Sequence, residues 1–466
     1  MEHSERTISG DQPALRGTGR RKPLRSIAAW VGGLLVVALG VLWIGPPLRP
    51  WEDLKPLIIP PLPPGAENGR DFLMQQWGPL RDYLGPGSME PLDKLYYSII
   101  PWNEADPEMT AAAGRGALRL AELSEALAMS GWRVPDYQRV DDQFSDRLHL
   151  WTALVEISAW IRQSIHHHRM EEAADAMLML VQASRREIAA ASLGDRLSQG
   201  SQLGSAMLFS VPPFLAAAAA REDVLCVKLG EACRTDWVTR EKLKDCLLRD
   251  VEFRCRDLLT LHSEERVPEK EWPESRTYRM GQGFRRFFLQ SRPTVNLFHD
   301  TLRAAVPRLL ATVPDASASV SGLSSPPGIR PYLHPNGEGR HYVSDELFAW
   351  QRMDRGFRFL LFHQRAISVR IALHRSQLAK GTLPDKLEEL VPHWLPAVPA
   401  DPFDGQPLRW ISAGGGLLYS VGSAWKDDPA DAFPAPSEDR GFMNRSGTTP
   451  ALRLELPATK TPAKAK

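Results

Sequence analysis

The chain reads as mainly α-helical: one N-terminal transmembrane helix, an extracytoplasmic helical domain, and a small C-terminal α+β module with a β-hairpin. Three observations predict this. Segment 27–44, IAAWVGGLLVVALGVLWI, carries no charge and directly follows the basic run Arg20, Arg21, Lys22 and Arg25. Apolar residues then recur at three- and four-residue steps through much of the chain as far as residue 379, the spacing of helices with one buried face. Beyond Pro392 the period drops to two, the spacing of half-buried strands. The chain has 466 residues, of which 43% are hydrophobic, and 14 tryptophans, enough for a packed core rather than a disordered polymer. Lys+Arg number 57 against Asp+Glu 56, so there is no basic footprint for nucleic acid.

Residues 1–25 form the expected cytoplasmic tail and 26–45 the transmembrane helix. An uncharged stretch of this length spans the ~30 Å hydrocarbon layer and satisfies its own backbone hydrogen bonds there. Arg16, Arg20, Arg21, Lys22 and Arg25 hold the N-terminal flank in the cytoplasm, and Trp30 and Trp43 sit near the two interfaces. The expected address is therefore the cell membrane, single-pass, with the bulk of the chain periplasmic or extracellular. The rival reading is a cleaved signal peptide. Signal cores are ~7–15 residues long and end at a small-x-small site. This span is longer and runs into Trp43-Ile44-Gly45-Pro46-Pro47.

Residues 46–68 are a proline-rich stalk, extended and stiff. From Gly69 the pattern turns helical, and 69–314 form the helical domain. Phe144, Leu148, Trp151, Val155, Ile161 and Ile165 mark one stripe, with Asp141 or Asp142 as its cap. Similar stripes run through 112–129, 170–193, 216–229, 240–261 and 295–313. A second apolar run, 206–220, holds Pro212-Pro213 in its middle. It reads as a core helix pair broken at the prolines, with membrane insertion as the alternative.

Cys226, Cys233, Cys246 and Cys255 fall within thirty residues, on two helices around a turn at 234–238, the second capped by Thr239. An antiparallel hairpin would nest Cys226 with Cys255 and Cys233 with Cys246, and an oxidising compartment favours disulfides. Free buried thiols and a metal site are the alternatives, although the gaps do not match zinc spacings.

Residues 315–343 are rich in Ser, Gly, Pro and Asn and read as a loop or linker. A long helix follows from Ser344 to Ala379, closed by Lys380-Gly381. A short helix starts at Pro384 and ends before Pro392. Strands at 408–411 and 417–421 are joined by Gly414-Gly415-Gly416, and the long helix is expected to cover them. The whole module spans 344–428, and 429–466 is an expected disordered tail.

Within 381–428, Leu383-Pro384, Leu390-Val391-Pro392, Pro399-Ala400-Asp401-Pro402-Phe403, Gly405 and Leu418-Tyr419-Ser420-Val421-Gly422 resemble the C-terminal region of the type II secretion major pseudopilins. The stretch also looks like the tails of large, uncharacterised membrane-anchored bacterial proteins that carry this module after a helical region. The resemblance covers about a tenth of the chain. It implies a calcium ion held by the acidic loop, with Asp427, Asp428 and Asp431 as the candidate ligands and Ser420 nearby. Ala424 stands where the first loop aspartate is expected, and the pseudopilin processing signal is absent from the N-terminal span.

No nucleotide loop, His-Glu-x-x-His or Gly-x-Ser-x-Gly occurs, so no catalytic or cofactor-binding residue and no small-molecule substrate is assigned. Gly281-x-Gly283 lacks the third glycine of a dinucleotide site. His166-His167-His168 diverge by ~100° per residue on a helix and do not share one metal face. Asp236, His262, Arg285, Arg286, His363 and His374 have no spacing that assigns a role. The leading expectation is a non-catalytic envelope protein that binds the bilayer and other envelope proteins, beside a secretion-type system. The rival is a membrane-anchored hydrolase with a dispersed active site.

Overall fold

The computed structural model describes residues 30–34, 62–77, 101–133, 140–191, 194–260, 291–309, 311, 336–413, 416–422 and 451–453. Of the expected span 26–45 it describes only 30–34, which are helical with Trp30, Val31 and Leu34 exposed. Among the described residues no helix is long and apolar enough to cross a membrane.

Helix α1 (Gly69–Gln76) starts where Asn68 turns its side chain onto the Arg70 amide. The same side chain accepts from the Arg133 amide and donates to the Arg133 carbonyl, each at 2.8 Å. The end of the expected stalk is thus tied to the helical domain. Helix α2 (Pro107–Ala128) has Pro107 in its first turn, and Asp106 caps the amides of Glu108 and Met109. It packs against α3 (Val140–His166), and the two backbones close at Gly116, where a Cβ would lie 2.1 Å from the Glu156 carbonyl oxygen. Because α3 begins at Val140, Asp141 and Asp142 lie in its first turn rather than capping it.

Helix α4 (Met170–Ala190) packs on α5 (Gly194–Ala217), which also contacts α3. Run 206–220 does not break at its prolines: α5 continues through Pro212 and Pro213 and buries Ala206, Met207, Val211 and Phe214 in the core. A proline at position i cannot donate to the carbonyl of i−4. Arg162 Nη2 takes over for Pro213, donating to the Phe209 carbonyl at 3.3 Å.

After a short 3-10 turn (Ala220–Glu222) come α6 (Asp223–Arg234) and α7 (Arg240–Thr260). Thr239 caps α7 through the Lys242 amide, as its position suggested. The stripe expected over 216–229 is split between α5 and α6. The two cysteine-bearing helices do not form the expected hairpin core: α6 packs on α9 (Gly337–Lys380) and α4, whereas α7 packs on α5 and α8 (Ser291–Leu309). The nested disulfides are accordingly not formed. Cys226, Cys233, Cys246 and Cys255 are free and buried.

Helix α9 starts before the expected Ser344, and Val343, Leu347 and Trp350 are buried in the helical domain's core. The first half of α9 therefore belongs to that domain. Its second half is shared. Leu360, Leu361, Ile367 and Ile371 join the large core, whereas Phe362, Ala366, Val369 and Leu373 join a second core with Leu390, Phe403, Leu408 and Leu418. Gly381, at φ +77°, closes α9 by donating to the Gln377 carbonyl at 2.7 Å. The short helix expected from Pro384 shrinks to a 3-10 turn at Leu387–Leu390.

Strands β1 (Arg409–Ile411) and β2 (Leu417–Tyr419) pair antiparallel with Trp410 opposite Leu418. At Gly416 (φ +90°) a Cβ would meet the Trp410 ring at 2.3 Å, so the turn needs glycine. A third strand, β3 (Ala451–Arg453), pairs antiparallel with β2 and corrects the expectation that all of 429–466 is disordered tail.

Candidate functional site

The densest polar construction joins the C-terminal module to α9. Asp401 is 1% exposed. Its Oδ1 accepts from the Phe403 amide at 2.9 Å and Ser420 Oγ at 2.8 Å; its Oδ2 accepts from the Val421 amide and Arg409 Nη1, both at 3.1 Å. One carboxylate thus binds the turn after Pro399 to the end of β2. Burial pushes its pKa up, and the hydrogen bonds from Phe403, Ser420 and Val421 oppose that rise.

Two arginines one heptad apart on α9 grip the same turn. Arg358 donates to Asp354 at 2.9 Å, to the Pro402 carbonyl at 2.7 Å and to the Ala311 carbonyl at 3.1 Å. Arg365 forms a forked pair with Asp236 at 3.1 and 2.6 Å and donates to the Ala400 carbonyl at 2.8 Å. Residues 400–402 are therefore held by Arg358, Arg365 and Arg409 at once. Asp236 adds the turn between α6 and α7 to this clasp. Burial raises the Asp354 pKa against the opposing pull of Arg358. Arg240 is lowered by burial first and by the positive field of Arg358 next.

A second feature is a cleft of about 120 Å³ between α5 and α9, lined by Ser205, Leu208, Phe209, Pro212, Leu360, His363 and Ile367. Burial pushes the His363 imidazole down to about 4, so it is neutral near pH 7. Among the described residues no carboxylate lines the cleft.

Other buried charges serve packing. Glu156 receives Arg119 Nε at 3.1 Å and Arg115 Nε, joining α2 to α3. Glu187 receives Arg70 Nε at 3.0 Å and Trp132 Nε1 at 2.9 Å, joining α1 to α4. Cys255 Sγ lies 3.8 Å from His299 Nε2, a nucleophile–base spacing on paper. Both are buried, and burial pushes the thiol up to about 12, so it is not a thiolate near neutral pH. Burial raises Cys226 to about 11 and Cys233 and Cys246 to about 12.

The residues picked out in the sequence disperse. Asp236 joins the clasp, His363 lines the cleft, and His374 is buried with its pKa lowered by burial and then by Arg370. His166 and His167 both approach exposed Glu104, at 3.8 and 3.5 Å, and His168 turns left-handed at φ 58°. Among the described residues no group of three His, Cys, Asp or Glu is arranged to hold a metal. Asp427, Asp428 and Asp431, with Gly281, Gly283, His262, Arg285 and Arg286, lie outside the described residues. Asp401 reads in the sequence as a turn former only. The available signal for its partners was a pair of arginines seven apart within the apolar face of a long helix.

No known protein family, curated protein or solved structure matches this chain.

Proposed function

We propose that the protein is a single-pass, membrane-anchored envelope protein that works without catalysis, binding or assembling with other envelope proteins beside a secretion-type system. The observation that supports this reading is the clasp at 400–402. It joins the pseudopilin-like module to a helix that also lines the large core. The basic flank and uncharged segment at 26–45 supply the anchor, with the N-terminus in the cytoplasm.

Cross-linking in intact cells followed by purification of the full chain tests this directly. Reproducible envelope partners are expected, and their yield should fall when Arg358 and Arg365 are both changed to alanine while membrane retention is unchanged. A chain that captures no reproducible partner, or whose capture ignores the clasp, refutes the reading. Protease digestion of sealed cells tests the topology: cleavage at the C-terminus from outside is expected, and protection there overturns it.

The rival hydrolase reading draws on Ser205 and His363 lining one cleft. It requires turnover of uncharged esters that disappears in Ser205→Ala.

A further inference from the structure

Two exceptions to ordinary core packing meet at the cleft between α5 and α9. The first is in α5. Pro212 and Pro213 remove two helical hydrogen bonds. The fold answers with a buried guanidinium, Arg162, on the Phe209 carbonyl, and burial lowers that guanidinium to about 10. A straight apolar helix would need neither the prolines nor the buried cation. The second is in α9, where Leu360, His363 and Ile367 form one stripe on the cleft wall. An imidazole stands where the pattern calls for an aliphatic side chain, and it carries a strongly perturbed pKa. Local packing rules are broken most often where a fold serves a site, and an apolar cavity with a perturbed titratable group is the ordinary form of one.

We propose that this cleft binds one small, uncharged, mainly apolar molecule, of the size of a single six-membered ring, with its one polar group turned toward His363. The size follows from the volume. An apolar cavity of about 150 Å³ accepts one benzene, and this cleft measures about 120 Å³ and is open on one side. The charge follows from the lining. Among the described residues no Lys, Arg, Asp or Glu lines the space, so neither an anion nor a cation finds a counter-charge there. His363 is uncharged near neutral pH, and Ser205 is the other polar side chain on the wall. The position has a consequence. Phe362, Ala366 and Val369, on the neighbouring face of the same helix, bury the C-terminal module. An occupant braces α9 against α5 directly behind that module.

Ligand-observed saturation-transfer NMR on the purified full chain tests this with four probes: benzene, benzyl alcohol, benzoate and benzylamine. The two neutral probes should receive saturation that excess cyclohexanol displaces, which separates a finite site from partition into detergent. Filling the cleft from either wall, with Ser205→Leu or Ile367→Phe, should weaken the displaceable signal at least about tenfold. His363→Phe should keep benzene and lose the preference for benzyl alcohol. Neutral binding should stay flat from about pH 6 to pH 8, because His363 does not titrate there. Any of three results overturns the proposal: no displaceable signal for the neutral probes, an equal signal for benzoate or benzylamine, or a signal untouched by two folded filling variants. If both filling variants fail to fold, displacement and charge selectivity in the unaltered chain decide the matter alone.

Discussion

Changing Asp401 to alanine strips the clasp of its centre, and the cost can be worked from the geometry. Three donors lose their acceptor inside the module: the Phe403 amide, Ser420 Oγ and the Val421 amide, on residues that are 1%, 0% and 4% exposed. Each stranded buried donor costs about 1–3 kcal/mol, and neighbours that relax together share part of that, so the total is about 3–5 kcal/mol. Arg409 contributes less, because it keeps Asp404 Oδ2 at 2.5 Å. The module has a small core of its own, so the loss should appear as local opening rather than unfolding of the whole chain. Native-state hydrogen exchange reads this directly. Amides across 403–421 should lose protection by a factor of about 10² to about 4 × 10³, while those of α4 stay unchanged. Asp404→Ala is the control. Its carboxylate caps the Gln406 amide and pairs with Arg409 at a partly buried site, but it holds no donor of the module core, so its loss should cost only about 1–2 kcal/mol. The pH behaviour gives an independent check. Burial raises the Asp401 pKa above its ordinary 3.8, so the folded state holds the proton more tightly than the unfolded state. This titration favours the fold most below the unfolded value, and that contribution is lost as pH rises through the folded pKa. Asp401→Asn removes the titration but turns an amide nitrogen toward at least one donor, so its protection should fall between wild type and Asp401→Ala. A loss below about tenfold for Asp401→Ala, or one matching Asp404→Ala, would sink the account of the clasp.

Arg365→Ala removes the forked pair to Asp236 and the bond to the Ala400 carbonyl, and should cost about 1–2 kcal/mol as faster exchange in the turn between α6 and α7 and at 399–401. Gly204→Ala places a Cβ 2.1 Å from the buried Trp237 ring, so a lower melting temperature and a loss of about 1–3 kcal/mol are expected; a neutral result would mean the ring can move aside. The lowered His363 pKa makes the folded state resist protonation. Stability present above about 6.5 should decline as pH falls from there to about 4, and His363→Phe should flatten that part of the pH–stability curve. Alkylation near neutral pH should leave all four cysteines unmodified in the folded chain and label all four after denaturation without reductant; thiols that stay unlabelled after denaturation would restore the disulfide reading.

Much of the candidate site was written in residue types without its partners being legible. The helix ends near Gly69, Thr239 and Gly381 were legible because caps act within one turn of the chain. The β-hairpin was legible from its alternation and its three glycines. The prolines of α5 misled, because the side chain that compensates for Pro213 comes from α3, 47 residues from the carbonyl it serves. The cysteine spacing misled for a similar reason. Position on neighbouring helices says nothing about which third helix each one packs against, and α6 and α7 chose different partners. Strand β3 is not legible in the sequence because three residues carry too little pattern to stand out from a polar tail.

Taken by itself, the order of residues determined the local outcome: where helices start and stop, which face of each is apolar, where the chain turns back as a hairpin, and that one uncharged segment stands behind a basic flank. These depend on interactions reaching only a few residues along the backbone. Tertiary structure alone decided that α9 serves two cores, that three arginines converge on 400–402, that the thiols stay apart, and that His363 faces an apolar cleft. Each of those depends on how whole helices are set against one another, an arrangement selected by the burial of every apolar face together, which no short stretch of chain encodes.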